Sequence, residues 1–207
     1  MSIRPLAALI LALPLVTACG LLPDVTIGAA QGVPAVAGST SIDIPQDYKC
    51  GTPISDDDKK YTVTSSGTQE SCTFTFKQDV EAIKASDYDS KPELKGAQLI
   101  RRVDFEVNKL GVIDAATGKA LDPTTTLLDL TGKAFDATIF TKEDLSKTPP
   151  YTKPVEGAPI DAIKEKVQAK QDIIIPVEVV VVVKLTPTPP ARIDLQFDAQ
   201  PNIILGF

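Results

Sequence analysis

This 207-residue chain has no histidine and no tryptophan, and its single methionine is the first residue. Without histidine there is no Ser-His-Asp triad, no Cys-His pair, and no His-ligated zinc or haem. Positive charge is also in deficit: 21 Lys and Arg stand against 27 Asp and Glu, a net charge of −6. A general nucleic-acid binder needs a basic face to meet phosphates, so no nucleic-acid partner is expected. Aromatics are few, seven Phe and four Tyr, which weakens a sugar-stacking surface, although Tyr61, Tyr88 and Tyr151 remain for one. Thr and Val are plentiful, and the 17 prolines exceed the usual share of roughly 5%. That mixture suits a β-rich protein with many turns. The length fits one domain, or one domain plus a tail.

The N-terminus carries the clearest pattern. Arg4 precedes an apolar run of 11 residues, Leu6 to Val16. A bilayer span needs about 20 residues, so the run is too short to cross and fits the core of a secretory signal peptide. Small residues Thr17 and Ala18 then lead into Cys19. The string Leu15-Val16-Thr17-Ala18-Cys19 resembles the lipobox of bacterial lipoproteins, a resemblance that covers only the first 20 residues. It implies a diacylglyceryl group on the Cys19 thiol, removal of residues 1–18 and acylation of the new amine. Cysteine suits the role because a thiolate is a good nucleophile. Several acyl chains hold a protein at a membrane where one is marginal. Gly20 rather than Asp implies, by the rule of enteric lipoproteins, an outer-membrane address, at the periplasmic face or the cell surface. The alternative is an ordinary secretory signal with a chance cysteine behind it.

Residues 19–47 read as a lipid-anchored flexible tether of Gly, Ala, Pro, Ser and Thr with scattered Val and Ile. Ser41–Ile44 is the stretch within it that has the option of joining a sheet. A single β-rich domain is expected over 48–207. Cys50 and Cys72 are an even pair in an exported chain and read as a disulfide. No Cys-x-x-Cys spacing supports a redox pair, and two thiols without histidine do not make a metal site.

Alternation of period two dominates the rest. Tyr61 and Val63, then Cys72, Phe74 and Phe76, suggest a hairpin turning at Ser65–Gly67. Over 97–108, Ala97, Leu99, Val103, Phe105 and Val107 share one face, with Gln98, Arg102, Asp104, Glu106 and Asn108 opposite; Arg101 falls on the apolar face, at the sheet rim or against a buried acid. Asp114–Lys119 reads as a turn, Lys133–Phe140 as a strand, and Thr141 as the N-cap of a short helix. Pro159 opens a helix over 160–170 with Ile160, Ile163 and Val167 on one stripe. From 173 to 185 every odd position is apolar, and Pro176 suggests an edge or a bulge. Pro187–Pro190 reverses the chain into Ile193, Leu195 and Phe197. The expected fold is mainly β: an antiparallel β-sandwich, Ig-like in general architecture, with one or two short helices. A partly open barrel is the alternative.

Catalytic chemistry is hard to find. Asp56–Asp58 and Asp87–Asp89 are acid clusters, but the second has Lys91 and Pro92 where a calcium loop needs an oxygen ligand and glycine. No Gly-x-Ser-x-Gly elbow exists. Asp104 and Glu106 share a strand face, which is more simply a solvated face than a glycosidase pair. No catalytic residue, metal or cofactor is therefore expected. Val180 and Val182 are the apolar middle of a mixed face with Ile174, Pro176, Glu178 and Lys184, a candidate binding patch unless helix 160–170 covers them. The reading is a membrane-anchored envelope lipoprotein acting as a non-catalytic binding or assembly module, with an envelope protein or lipid as partner. A passive structural lipoprotein and a His-free hydrolase are the alternatives.

Overall fold

A computed structural model describes residues 25–28, 33–54, 62–91, 94, 99–155 and 158–206. Cys19, the signal segment and Asp56–Asp58 lie outside them. In chain order the elements are β1 (Val25–Ile27), β2 (Val36–Asp43), β3 (Thr62–Gly67), β4 (Cys72–Ile83), α1 (Asp87–Ser90), β5 (Leu99–Asp114) and β6 (Lys119–Ala120). Then follow β7 (Leu127–Ala134), β8 (Ala137–Thr141), a 3-10 helix (Lys142–Ser146), β9 (Tyr151–Val155), α2 (Ala158–Gln168), β10 (Ile173–Val183) and β11 (Arg192–Gly206).

The strands form two antiparallel sheets packed as a β-sandwich. One has the order β3-β4-β10-β7-β8. The other is built on β11 and β5, with β1 and β2 along the free side of β11 and β6 and β9 along the free side of β5. The odd residues of β10, Ile173 to Val183, are buried against Ile193, Leu195, Phe197 and Ala199 of β11 and their neighbours in one core. Phe140 of β8 meets Phe197 of β11 across the sandwich, ring centroids 5.9 Å apart. α2 packs chiefly on β5 and sends Ile160, Ile163 and Val167 into the core. Thr141 begins the 3-10 helix, as its N-cap position predicted.

Several details depart from the sequence reading. The domain begins well before residue 48: β2 pairs with β11 from Arg192↔Asp43 to Ala199↔Val36, and β1 pairs with it further on. Val36, Ile42 and Ile44 are core residues. The β3–β4 reversal falls at Gln69–Glu70, where Thr68 and Ser71 exchange backbone bonds of 3.2 Å each, and β3 runs straight through Ser65–Gly67. Lys133–Phe140 is not one strand. Phe135 and Asp136, both at positive φ (50° and 64°), make the two-residue turn of the β7–β8 hairpin. A bulge between the pairs Ile204↔Arg102 and Leu205↔Ile100 makes Arg101 the extra residue of β5. Arg101 is exposed, and the phase shift buries Ile100.

Pro176 lies inside the central strand β10, not at an edge. Its carbonyl accepts from Phe135 N at 3.2 Å, and the β7 ladder ends one residue earlier, at Val177↔Ala134. The missing proline N–H would face the hairpin turn, where the ladder needs no donor. The proline loop after β10 carries the chain from one sheet to the other, since β10 and β11 belong to different sheets.

Candidate functional site

Cys50 and Cys72, the even pair read as a disulfide, form one, with a Cα–Cα distance of 5.7 Å. The segment after β2 is fastened around it. Cys50 N donates to Gln69 Oε1 and Gln69 Nε2 donates to Tyr48 O, both at 2.8 Å. The Tyr48 ring stacks on Phe74 at 6.1 Å. This cluster ties the end of β2 to the β3–β4 hairpin and is structural.

Val180 and Val182 lie on the outer face of the five-stranded sheet and remain partly exposed. α2, packed on β5, does not remove them from solvent. Register places Val180 between Thr75 and Thr131, and Val182 between Thr73 and Asp129. Thr75 pairs with Thr64 and Thr131 with Thr141, so one row crosses all five strands: Thr64, Thr75, Val180, Thr131, Thr141. Directly paired side chains share a face. The row is short, β-branched and uncharged.

At its β8 end the row runs into an open groove of about 760 Å³, floored by Asp129, Thr131 and Thr141 and walled by Pro123, Lys142 and Leu145. The 3-10 helix is that wall, and Asp144 holds it in place. Asp144 is 3% exposed. Thr141 N donates to its Oδ2 at 2.8 Å, while Lys147 Nζ and Lys153 Nζ stand 2.7 and 3.4 Å from its Oδ1. Burial alone would push this carboxyl up. The Lys147 and Thr141 hydrogen bonds and the charges of both lysines outweigh it, and its pKa is lowered. The Thr141-x-x-Asp144 spacing was the sequence signal for this cap; the lysine from β9 had none.

Asp144 is a charged keystone, so its contribution depends on pH. A carboxyl with a lowered folded pKa stabilises fully above the unfolded value, about 3.9 for Asp, and that stability is lost as pH falls through the folded value. Asp144→Ala should cost about 1.5–3 kcal/mol near neutrality. The gap between the two proteins should narrow below about pH 4, read by urea unfolding at several pH values.

Tyr151 lies beneath Lys147, whose Nζ is 5.3 Å from the ring centroid. Its hydroxyl is buried with no hydrogen-bond partner, as is that of Tyr88 in α1. Burial first, then the Asp144 charge, raises Tyr151 to about 12, and burial with Asp172 and Asp87 raises Tyr88 to about 12. The Tyr88 ring is buried and the Tyr151 ring is covered by Lys147, so neither is presented for sugar stacking, and Tyr61 lies outside the described residues. Folding therefore favours neutral Tyr88 and Tyr151. That stability is complete below the unfolded tyrosine value of about 10 and is lost as pH rises through the folded values. Absorbance titration should show these two phenols ionising near pH 12, or abruptly with alkaline unfolding.

Two further candidate acids, Asp104 and Asp87, are engaged. Asp104 accepts from Arg102 Nε at 3.0 Å. Asp87 accepts from Lys84 N and Lys91 Nζ, each at 3.1 Å, within a one-turn helix. Among the described residues no three His, Cys, Asp or Glu side chains gather as a metal site. No protein-family model, curated protein or solved structure matches this chain.

Proposed function

We propose that this chain is a bacterial envelope lipoprotein, held at the membrane through acylated Cys19, that acts as a non-catalytic binding or assembly module. The observation that carries the reading is the outer face of the five-stranded sheet: a partly exposed Thr and Val row leading into a groove beside the 3-10 helix. A lipid anchor followed closely by a folded sheet suits a protein that works next to its membrane.

Native mass spectrometry of the full-length chain, extracted gently from its own membranes, tests both parts. The anchor predicts acyl mass at Cys19 and loss of membrane retention in Cys19→Ser; normal processing and retention of that variant would overturn it. The binding face predicts a noncovalently held protein or lipid that Val180→Asp loses without a change in thermal unfolding. A chain carrying nothing, or one whose cargo survives Val180→Asp, would overturn the binding face.

A further inference from the structure

Residues 20–24 are all that separates Cys19 from β1 in the sequence. Even fully extended, that stretch reaches only about 20 Å. β1 runs antiparallel to β11, so its first residue stands beside the end of β11, and Val25 lies level with Leu205 and Ile100. One row further in, Thr26, Ile204 and Arg102 are level, and Arg101 is the extra residue between the two rows. Neighbouring strands are about 4.8 Å apart, so the backbone of both arginines lies roughly 10 Å from the point where the chain from Cys19 enters the sheet.

Charge singles out the same end. It is built from the start of β5, the end of β4 with α1, and α2, which connects β9 beside Val103 to the start of β10. Over 81–91, 99–104 and 158–174 the sequence has seven Lys and Arg against seven Asp and Glu, so the −6 of the whole chain comes from elsewhere. Glu81, Asp87 and Asp89 each carry a lysine, Lys84 at 3.4 Å, Lys91 at 3.1 Å and Lys170 at 3.4 Å. Arg101 and Arg102 are both exposed. Arg102 holds Asp104 through Nε at 3.0 Å and still keeps 58% of its side chain in solvent. The planar guanidinium, with five N–H donors, has the geometry that clasps a phosphate. An anionic membrane attracts basic residues near its surface and repels an acidic remainder.

We infer that this end of the sandwich docks on the membrane surface, with Arg101 and Arg102 on the phosphates of anionic lipid headgroups. The inference rests on the reading of Cys19 as acylated and gives the anchored domain its orientation. The acyl chains hold the domain within reach, and the arginines select which end faces the lipid. Docking of this kind is electrostatic, so it weakens as salt screens the charges. From Ile173 at this end, β10 rises about 30 Å to Val182. The Thr and Val row and its groove then stand clear of the headgroups, toward the aqueous phase.

The test uses the chain purified from its own membranes, its mass at Cys19 checked, and placed in lipid nanodiscs that carry a gadolinium-chelating headgroup. Discs of phosphatidylcholine alone are compared with discs that also contain phosphatidylglycerol. NMR should show the amides of 99–102 and 203–206 broadened more strongly in the anionic discs, and the difference should disappear in high salt. The Val180, Val182 and Gln69 amides should be unaffected. Replacing Arg101 and Arg102 by alanine should weaken docking about fivefold for each arginine. Arg101→Glu leaves the Arg102–Asp104 pair in place and should weaken it further, whereas Arg101→Lys keeps the charge and should retain most of it. Equal broadening in the two kinds of disc, broadening centred on Gln69, or docking indifferent to Arg101→Glu overturns the inference, while acyl mass at Cys19 leaves the anchor standing. A chain without that mass overturns the anchor and the inference together.

Discussion

Replacing both Cys50 and Cys72 by alanine is expected to lower unfolding free energy by about 3 kcal/mol. The bridge spans a sequence separation of 22, and a loop of that size loses roughly this much closure entropy in the chain-entropy account. For a domain of this length the melting temperature should fall by roughly 10 °C. The Gln69 and Tyr48 contacts remain in the variant and hold the same segment to the hairpin. They set the direction of any deviation: a loss well under the estimate means that they alone position the strand ends. Calorimetry with and without reductant on the unaltered chain provides the matching control.

Phe140→Ala is expected to be the most damaging single truncation, at about 3–5 kcal/mol. The side chain is fully buried and reaches Phe197 in the opposite sheet. It also lies over Gly132 of the neighbouring strand, its register partner. A Cβ built at Gly132 collides with the Phe140 ring, so the glycine is there for the ring's close approach. Gly132→Ala alone should therefore cost about 1–3 kcal/mol through overpacking. Combined with Phe140→Ala, the same methyl enters space the ring has vacated, and its cost should vanish or change sign. Urea unfolding of the two single variants and the double variant gives the coupling directly. Additive losses would mean that the ring and the glycine do not depend on each other.

The β10 and β11 cores were legible because burial of one sheet face writes a period of two into the sequence, and every odd position of Ile173–Leu185 is apolar. The sandwich, the disulfide, the Pro159 helix and the Asp114–Lys119 turn followed for similarly local reasons. Only the end of β2, within Ser41–Ile44, was legible, because Ala37–Ser41 is small and polar and joins the sheet through its backbone, a contribution composition does not record. The hairpin at Phe135–Asp136 was hidden because its two positive-φ residues are neither glycine nor asparagine. The Arg101 bulge was visible only as a charge on the wrong face. For the site, Val180 and Val182 stood out within one strand. The groove did not, because its floor and wall come from β7, β8 and the 3-10 helix, which only the folded chain brings together. The Lys153 contact with Asp144 likewise depends on where β9 returns.

The pairing of the first strands with the last one determines how the molecule bears tension. A pull entering from the N-terminal side loads β1 first, three residues paired with β11, and then β2 along the same strand. Both lie at the rim of their sheet, and drawing them away takes Ile27, Val36 and Ile42 out of the core. At Cys50 the peeling stops, because the covalent link passes the load to Cys72 in β4. The slack released up to that point is at most about 85 Å at an extended rise of roughly 3.4 Å per residue. The disulfide thus sets a hard stop on how far the entry strands can be drawn out.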